Sequence, residues 1–287
     1  MSLPTFDHAL PTVHSLHKLA MLLGFVRILA YDAQSNYLEL AMKIVPQGLS
    51  TERLPGGGEI ILDFRQGAIL YTNGAGQTTT FAAQGKSQAE IFETLLTTIE
   101  TPELSETLAK AAGATVIDRA INAAHTLPRY TRRNIHEFIE TEPLTFDSQQ
   151  GTAYAEALYS LFTATARFRA RLIGTMTPIV VWPEHFDLST LWFHPDNTGM
   201  DASEAHLNFG FAPYSPGLGP YLYAYAYPYP AQYAPPTLPT GAHWHTEGWT
   251  GAVLPYEVIA AQENPELYIE QALEQINAAL RPLIGLS

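Results

Sequence analysis

PIVVWPEHFDLSTLWF, residues 178–193, is the stretch that decides the fold. Two related segments follow it, EAHLNFGF at 204–211 and PYLYAYAYPYP at 220–230. All three contain short runs with two or more aromatic residues, bounded by turn residues, as strands are. They predict strands at 178–182, 189–193, 204–211 and 221–227. A further strand is predicted at 250–255, and helices are predicted on either side of the strands, at 152–173 and 265–279. Consecutive strands flanked by helices favour an α+β fold, an antiparallel sheet with helices on one face.

The first half of the chain has the same predicted order of elements. An apolar stripe with helical spacing predicts a helix at 12–23, which Gly24 ends. Ser87 and Glu90 have the spacing of a capping box and predict the start of a helix at 86–98. Between these helices the pattern predicts strands at 25–31, 37–45, 59–64, 68–72 and 78–82.

Two similar halves of helix, antiparallel sheet and helix are therefore expected, residues 1–102 and 148–287, packed as one compact unit. An alanine-rich helical connector at 103–147 joins them. Residue-level correspondences suggest an internal duplication. They are Leu23-Gly24 with Ile173-Gly174, and EIILDF at 59–64 with EAHLNF at 204–209.

The composition excludes several classes of function. The net charge of −13 would repel a nucleic acid or an anionic membrane surface. The absence of cysteine excludes disulfides, thiolate metal sites and a cysteine nucleophile. No glycine-rich nucleotide loop occurs, and neither does the Gly-x-Ser-x-Gly motif of serine hydrolases.

The N-terminal segment indicates where the protein is expected to function. It lacks the basic-then-apolar layout of a signal peptide, and no apolar run approaches the roughly 20 residues that span a bilayer. We therefore expect a cytoplasmic protein that has no nucleic-acid or membrane partner.

Tyrosine occupies alternate positions from Tyr221 to Tyr229. Alternate residues of a strand face the same way, so these rings form one wall. Because tyrosine has an apolar ring with a polar hydroxyl, such a wall suits a partly solvent-exposed groove that binds a ring-bearing or sugar-like ligand. Alternatively, the same face could pack on a loop or on a second subunit. The candidate ligand-binding residues are Trp182, His185, Asp187, Trp192, Tyr223, Tyr225, Tyr227 and Trp249.

Three polar pairs with the same two-residue spacing suggest a metal site as an alternative. They are His185 with Asp187, Glu204 with His206, and His243 with His245. If one sheet brought these side chains together, nitrogen and oxygen ligands could hold a divalent metal and leave a position open for a reactive water. The candidate ligands are His185, Glu204, His206, His243 and His245. Asp187 is assigned instead to capping the turn before Leu188, and no other cofactor is predicted.

Short motifs distributed along most of the chain carry a resemblance to a known family. They are GLST at 48–51, LPGG at 54–57, ILDF at 61–64, FRARLIG at 168–174, FDL at 186–188 and LPYE at 254–257. In order and spacing they resemble the domain of unknown function 5996 family. Where that family often has Trp-Gly-Ser before Phe-Asp-Leu, this chain has Pro183-Glu184-His185. The resemblance implies a shared fold and assigns no activity.

Three functions remain open at this point. The first is the binding of a small molecule in an aromatic cleft of the second half. The second is metal-dependent hydrolysis by the histidine and glutamate cluster. The third is a structural or oligomerisation module in which the tyrosine face forms the interface of a homo-oligomer.

Overall fold

The computed structural model describes residues 3–4, 10–99, 101–130, 139–229 and 235–286. It contains helices and two antiparallel sheets, which confirms the α+β fold class. The chain separates into two compact units. The N-terminal unit comprises residues 7–155, and the C-terminal unit comprises residues 1–6 and 156–287. The predicted division at residues 102 and 147 stays a prediction.

The N-terminal unit consists of a five-stranded sheet and helices. Its strands follow one another in the order β1-β2-β3-β4-β5, each antiparallel to the next. The predicted capping box is present, because Ser87 Oγ accepts from Glu90 N and Glu90 Oε2 accepts from Ser87 N. The elements are α1 Leu10–Ala30, β1 Lys43–Val45, β2 Gly48–Arg53, β3 Glu59–Asp63, β4 Ala68–Thr72, β5 Thr78–Ala82, α2 Gln88–Thr98, α3 Pro102–Lys110 and α4 Val116–Thr126.

Helix α1 corrects the prediction for the start of the chain. The predicted strand at 25–31 is wrong, because α1 runs through Gly24 to Ala30. The predicted strand at 37–45 is also wrong for most of its length, since only its last three residues form β1. Burial explains the first error: α1 is buried on most of its circumference, so the end of its apolar stripe does not mark the end of the helix. Buried Arg27 fixes this last turn by donating to the backbone oxygens of Leu38, Glu39 and Thr51.

By length and composition alone, helix α1 could cross a membrane. The helix is not an uninterrupted apolar run, since it contains His14, His17, Lys18 and Arg27. Within the protein, 72% of its most apolar window is buried, as in the core helix of a globular unit. The cytoplasmic location stays a prediction.

The C-terminal unit is organised around a six-stranded antiparallel sheet in the order β10-β11-β9-β8-β7-β6. Helix α5 begins in the N-terminal unit and continues into this one. Strand β10 was not predicted, and neither was β2 of the N-terminal unit, where residues 46–51 were expected to form a loop. The elements are α5 Ser148–Arg169, β6 Val180–Trp182, β7 Asp187–Phe193, β8 His206–Ala212, β9 Tyr221–Tyr227, β10 His243–His245, β11 Gly251–Pro255, α6 Tyr256–Ala260, α7 Pro265–Leu280 and a 3-10 segment Arg281–Ile284.

Strand register separates the two faces of this sheet. Tyr223 lies opposite Gly210 on β8 and Val253 on β11, and Gly210 lies opposite Ser189 on β7. We call this side, with all four strand tyrosines, the tyrosine face. The other side, the helix face, carries Phe209, whose ring packs edge-on against Phe168 of α5 at 4.9 Å. The duplication is not confirmed, since Gly24 lies inside a helix whereas Gly174 follows one.

Candidate functional site

The tyrosine rings of β9 lie over the neighbouring strand β8. Gly210 makes this arrangement possible for Tyr223. A Cβ atom on Gly210 would come within 2.5 Å of both the Tyr223 hydroxyl and the backbone oxygen of Leu188. The missing side chain therefore lets the Tyr223 phenol cross β8 and reach strand β7.

The Tyr223 hydroxyl donates a hydrogen bond to Asp187 Oδ2. Both side chains are buried. Burial raises the pKa of the Asp187 carboxyl, and this outweighs the opposing effects of the Tyr223 hydrogen bond and of the nearby His185. Burial and the charge of Asp187 raise the pKa of Tyr223 well above its usual value. Asp187 Oδ1 is buried and accepts no hydrogen bond from any other residue that the structure describes.

Tyr225 forms the second polar pair of this face. Asn208 Nδ2 donates to the Tyr225 hydroxyl at 2.8 Å, and burial raises the pKa of Tyr225. Asn208 Oδ1 is buried and, within the described ranges, has no hydrogen-bond partner. Trp249 covers both tyrosines, with its ring centroid 6.0 Å from that of Tyr223 and 6.3 Å from that of Tyr225. The tyrosine face thus holds two buried acceptor oxygens among aromatic rings.

Exposure rises along the row of tyrosines. Tyr223 is 7% exposed, Tyr225 is half-buried, and Tyr227 is 41% exposed. Tyr227 stacks on the ring of His206 at 5.3 Å. Burial lowers the pKa of His206, and its Nδ1 is hydrogen-bonded to the backbone oxygen of Glu204. His206 is therefore a neutral aromatic support for the exposed end of the row.

The remaining candidate ligand-binding residues are not all brought together. Trp182 lies on edge strand β6 and donates from Nε1 to Ser189 Oγ at 2.8 Å, on the tyrosine face. Trp192 points to the helix face, where its Nε1 donates to the backbone oxygen of Ile173. His185 is exposed in the turn between β6 and β7. Of the eight candidates, Trp192 is on the wrong side of the sheet to contribute to a site with the tyrosines.

The candidate metal ligands are spread across the sheet. His185 adjoins β7, whereas His243 and His245 lie on β10, four strands away, or roughly 19 Å at about 4.8 Å per strand. The Glu204 carboxylate accepts hydrogen bonds from the hydroxyl of Thr198 and the amide of Gly199, so it stabilises the loop between β7 and β8. In the described part of the chain, no group of three or more His, Cys, Asp or Glu side chains could hold a metal ion.

The comparison with protein families agrees with the motifs along the chain. Residues 2–280 match the family of unknown function DUF5996. The chain belongs to this family. The match confirms the resemblance. No curated protein and no solved structure matches this DUF5996 protein significantly.

Sequence reasoning missed two important residues of the tyrosine face in this DUF5996 protein. Asn208 and Gly210 were part of a predicted strand, but neither was named as a site residue. Their alternation on β8 matches that of Tyr223 and Tyr225 on β9. The signal was available in the sequence, but interpreting it required the knowledge that β8 and β9 are neighbours in this register.

A cavity of about 800 Å³ in the N-terminal unit of the DUF5996 protein was also missed. It lies where the last turns of α1, α3 and α4 meet. Its walls include Leu29, Tyr31, Asp32, Lys110 and Thr126. None of these residues belongs to a motif of known chemistry, so the sequence alone did not indicate it.

Proposed function

We propose that the protein binds a small molecule on the tyrosine face of its C-terminal unit. The ligand carries hydrogen-bond donors and a flat ring or sugar face. Its donors would reach Asp187 Oδ1 and Asn208 Oδ1, while its ring would lie against Tyr225 and Trp249. Tyr227, the most exposed ring of the row, would border the entrance.

The pair of unpartnered acceptors is the observation that carries this proposal. Asp187 Oδ1 and Asn208 Oδ1 are both buried on one sheet face and accept no hydrogen bond from another described residue. A buried polar group without a partner costs about 1–3 kcal/mol, and more if it is charged. A donor-bearing ligand would recover this free energy on binding. Such a site is most selective against analogues that lack the donor.

The surrounding rings support the choice of ligand class. Tyr223 and Tyr225 stack with centroids 6.1 Å apart, and Trp249 packs edge-on against both. Aromatic walls with a few fixed polar groups are typical of small-molecule sites. The geometry favours binding and assigns no reaction.

The experiment is a thermal-unfolding screen with nucleosides, monosaccharides and aromatic amines as probes. A ligand at about 100 times its Kd stabilises the folded state by about 2.7 kcal/mol. At about 2–4 °C per kcal/mol, the expected increase in Tm is roughly 5–10 °C. One probe class should produce this shift in the wild type, and the shift should shrink in Asp187→Asn and Tyr225→Phe.

Tyr159→Phe is the matched control, because Tyr159 is an exposed tyrosine on α5 in the same unit. This variant should respond to the probes as the wild type does. The proposal is wrong if no probe class shifts the wild-type Tm. It is equally wrong if Asp187→Asn and Tyr225→Phe both keep the full response.

The other two predicted functions have their own tests. Metal analysis of the purified protein, with Tm measured in zinc, manganese or nickel, tests the hydrolase hypothesis. The solution mass of wild type and Tyr227→Ala tests the interface hypothesis, because Tyr227 is the exposed tyrosine of β9. A monomer in both cases would contradict the oligomerisation module.

A further inference from the structure

Helix α7 carries a polar stripe beside its apolar one. The apolar stripe faces the core and consists of Ile269, Leu273, Ile276 and Leu280. The polar stripe continues to the residue that follows the helix. It has the spacing of three or four residues that places side chains on one helix face, and it consists of Glu266, Glu270, Glu274, Asn277 and Arg281.

Two arginines of the segment containing α5 pair with the first three members of this polar stripe. Arg167 contacts Glu266 at 2.8 Å and Glu270 at 3.3 Å. Arg171 contacts Glu270 and Glu274. Two positive charges are thus shared among three carboxylates, and buried Glu270 takes a contact from each arginine. The ladder as a whole therefore carries one more negative than positive charge, and its last carboxylate, Glu274, is paired with Arg171.

A cavity of about 480 Å³ opens where the arginine–glutamate ladder ends. This volume lies within the roughly 300–1,000 Å³ usual for ligand pockets. Its walls are partly apolar and partly charged, and Asn277 contributes a buried amide oxygen that has no hydrogen-bond partner in the ranges described. The lining includes Phe168, Leu172, Trp192, Glu274, Asn277 and Arg281.

The wall of the cavity carries charged groups of both signs. Glu274 supplies a carboxylate that is paired with Arg171. Arg281 supplies a guanidinium, which lies 5.6 Å from the centre of the Trp192 ring. The acceptor oxygen of Asn277 belongs to the same helix face, one helical turn from each of them. An ammonium or N–H donor suits the unpartnered oxygen of Asn277 beside the Glu274 carboxylate, and a carboxylate suits the guanidinium.

We propose that this cavity binds a free α-amino acid with an apolar side chain. Its ammonium group donates to Asn277 Oδ1 and Glu274, and its carboxylate accepts from Arg281. The side chain packs against Phe168, Leu172 and the edge of Trp192. The site is on the helix face of the sheet, so it is independent of the ligand proposed for the tyrosine face.

Calorimetric titration of the full chain with L-leucine and L-phenylalanine tests this proposal. Two analogues separate the contributions of the two charged groups to binding: phenylalaninamide lacks the carboxylate, and 3-phenylpropionate lacks the ammonium group. Because each analogue loses a hydrogen bond between charged groups, its affinity should fall roughly 10- to 100-fold relative to phenylalanine. Absence of amino-acid binding, or equal binding of phenylalanine and both analogues, would overturn the assignment.

Variants of α7 separate binding from folding. Asn277→Leu removes an unpartnered buried acceptor, so we expect loss of amino-acid binding without a lower Tm of the ligand-free protein. If Asn277 were only structural, the Tm would fall and the protein that remained folded would bind normally. Gln275→Leu is the matched control, since Gln275 is exposed on the same helix and lies outside the cavity. It should bind as the wild type does.

Arg281→Gln provides a second test that remains valid even if the protein does not fold with leucine at position 277. It should weaken phenylalanine roughly 10-fold or more and leave phenylalaninamide unchanged, because only the former carries the carboxylate. Equal losses for both compounds would contradict the proposed orientation. Tyr225→Phe should leave the amino-acid titration unchanged, which distinguishes failure at this cavity from failure at the tyrosine face.

Discussion

Gly210→Ala tests whether close packing against β8 holds the Tyr223–Asp187 pair in place. The added Cβ would lie 2.5 Å from the backbone oxygen of Leu188 and from the Tyr223 hydroxyl. The ring must move away, because the backbone of β7 cannot shift without breaking its pairing with β8. Tyr223 would then lose its hydrogen bond to Asp187.

The expected loss of stability follows from three contributions. Overpacking costs about 1–3 kcal/mol, and losing a hydrogen bond to a carboxylate costs about 1.5–3 kcal/mol. Alanine recovers roughly 0.5–1 kcal/mol, because glycine is unfavourable in a strand. The net destabilisation is therefore about 2–5 kcal/mol. With an m-value near 2 kcal/mol/M, the urea midpoint should fall by roughly 1–2.5 M.

Tryptophan fluorescence in urea is a selective assay for this change. The chain has 4 tryptophans, at positions 182, 192, 244 and 249, and all belong to the C-terminal unit. Gly219→Ala is the control, since a Cβ there meets no atom within 4 Å. A midpoint for Gly210→Ala equal to that of the control would refute the reasoning. In a protein that already carries Tyr223→Ala, Gly210→Ala should lower the midpoint by less than it does in the wild type. Part of the effect should persist, because the contact with the Leu188 oxygen remains.

Three further predictions concern single groups. Burial raises the pKa of Asp187, so its favourable contribution is present below an unfolded pKa of about 3.9 and is lost as pH rises through the folded value. The stability of Asp187→Asn relative to wild type should therefore increase as the pH rises above about 4 in urea titrations; a constant difference would contradict this. Tyr225→Phe removes the acceptor of Asn208 Nδ2 and should cost about 0.5–1.5 kcal/mol by tryptophan fluorescence, against no measurable change for Tyr159→Phe. Arg27→Met deprives three backbone oxygens of their donor and should cost about 2–4 kcal/mol, with hydrogen exchange accelerated in α1; equal protection in wild type and variant would disprove the role.

Most strands and helices could be predicted from local pattern. Strand β9 alternates tyrosine with small apolar residues, and turn residues bound it on both sides. Helix α2 begins with a capping box whose two hydrogen bonds depend only on residues three positions apart. Helix α1 could not be delimited in this way, because burial on nearly all sides leaves no contrast between a polar and an apolar face.

The candidate site was only partly predictable, because it depends on strand order. The alternation of tyrosines predicted their common face, and the register of β9 with β8 confirms it for the four tyrosines from Tyr221 to Tyr227, whereas Tyr229 lies beyond the strand. The pairing of Tyr223 with Asp187 crosses β8, so it requires a sheet order that no local pattern contains. The same order separates His185 from His243, whose two-residue pairs had looked equivalent in the sequence.

The lengths of the strands in the six-stranded sheet bear on how the protein avoids aggregation. The edge strands β6 and β10 have 3 residues each, whereas β7, β8 and β9 have 7 each. Short edges offer few unpaired backbone groups to another copy of the chain. The uncharged segment YLYAYAY, well suited to cross-β stacking, is held between β8 and β11. Self-association into fibrils should therefore begin only where the C-terminal unit starts to unfold.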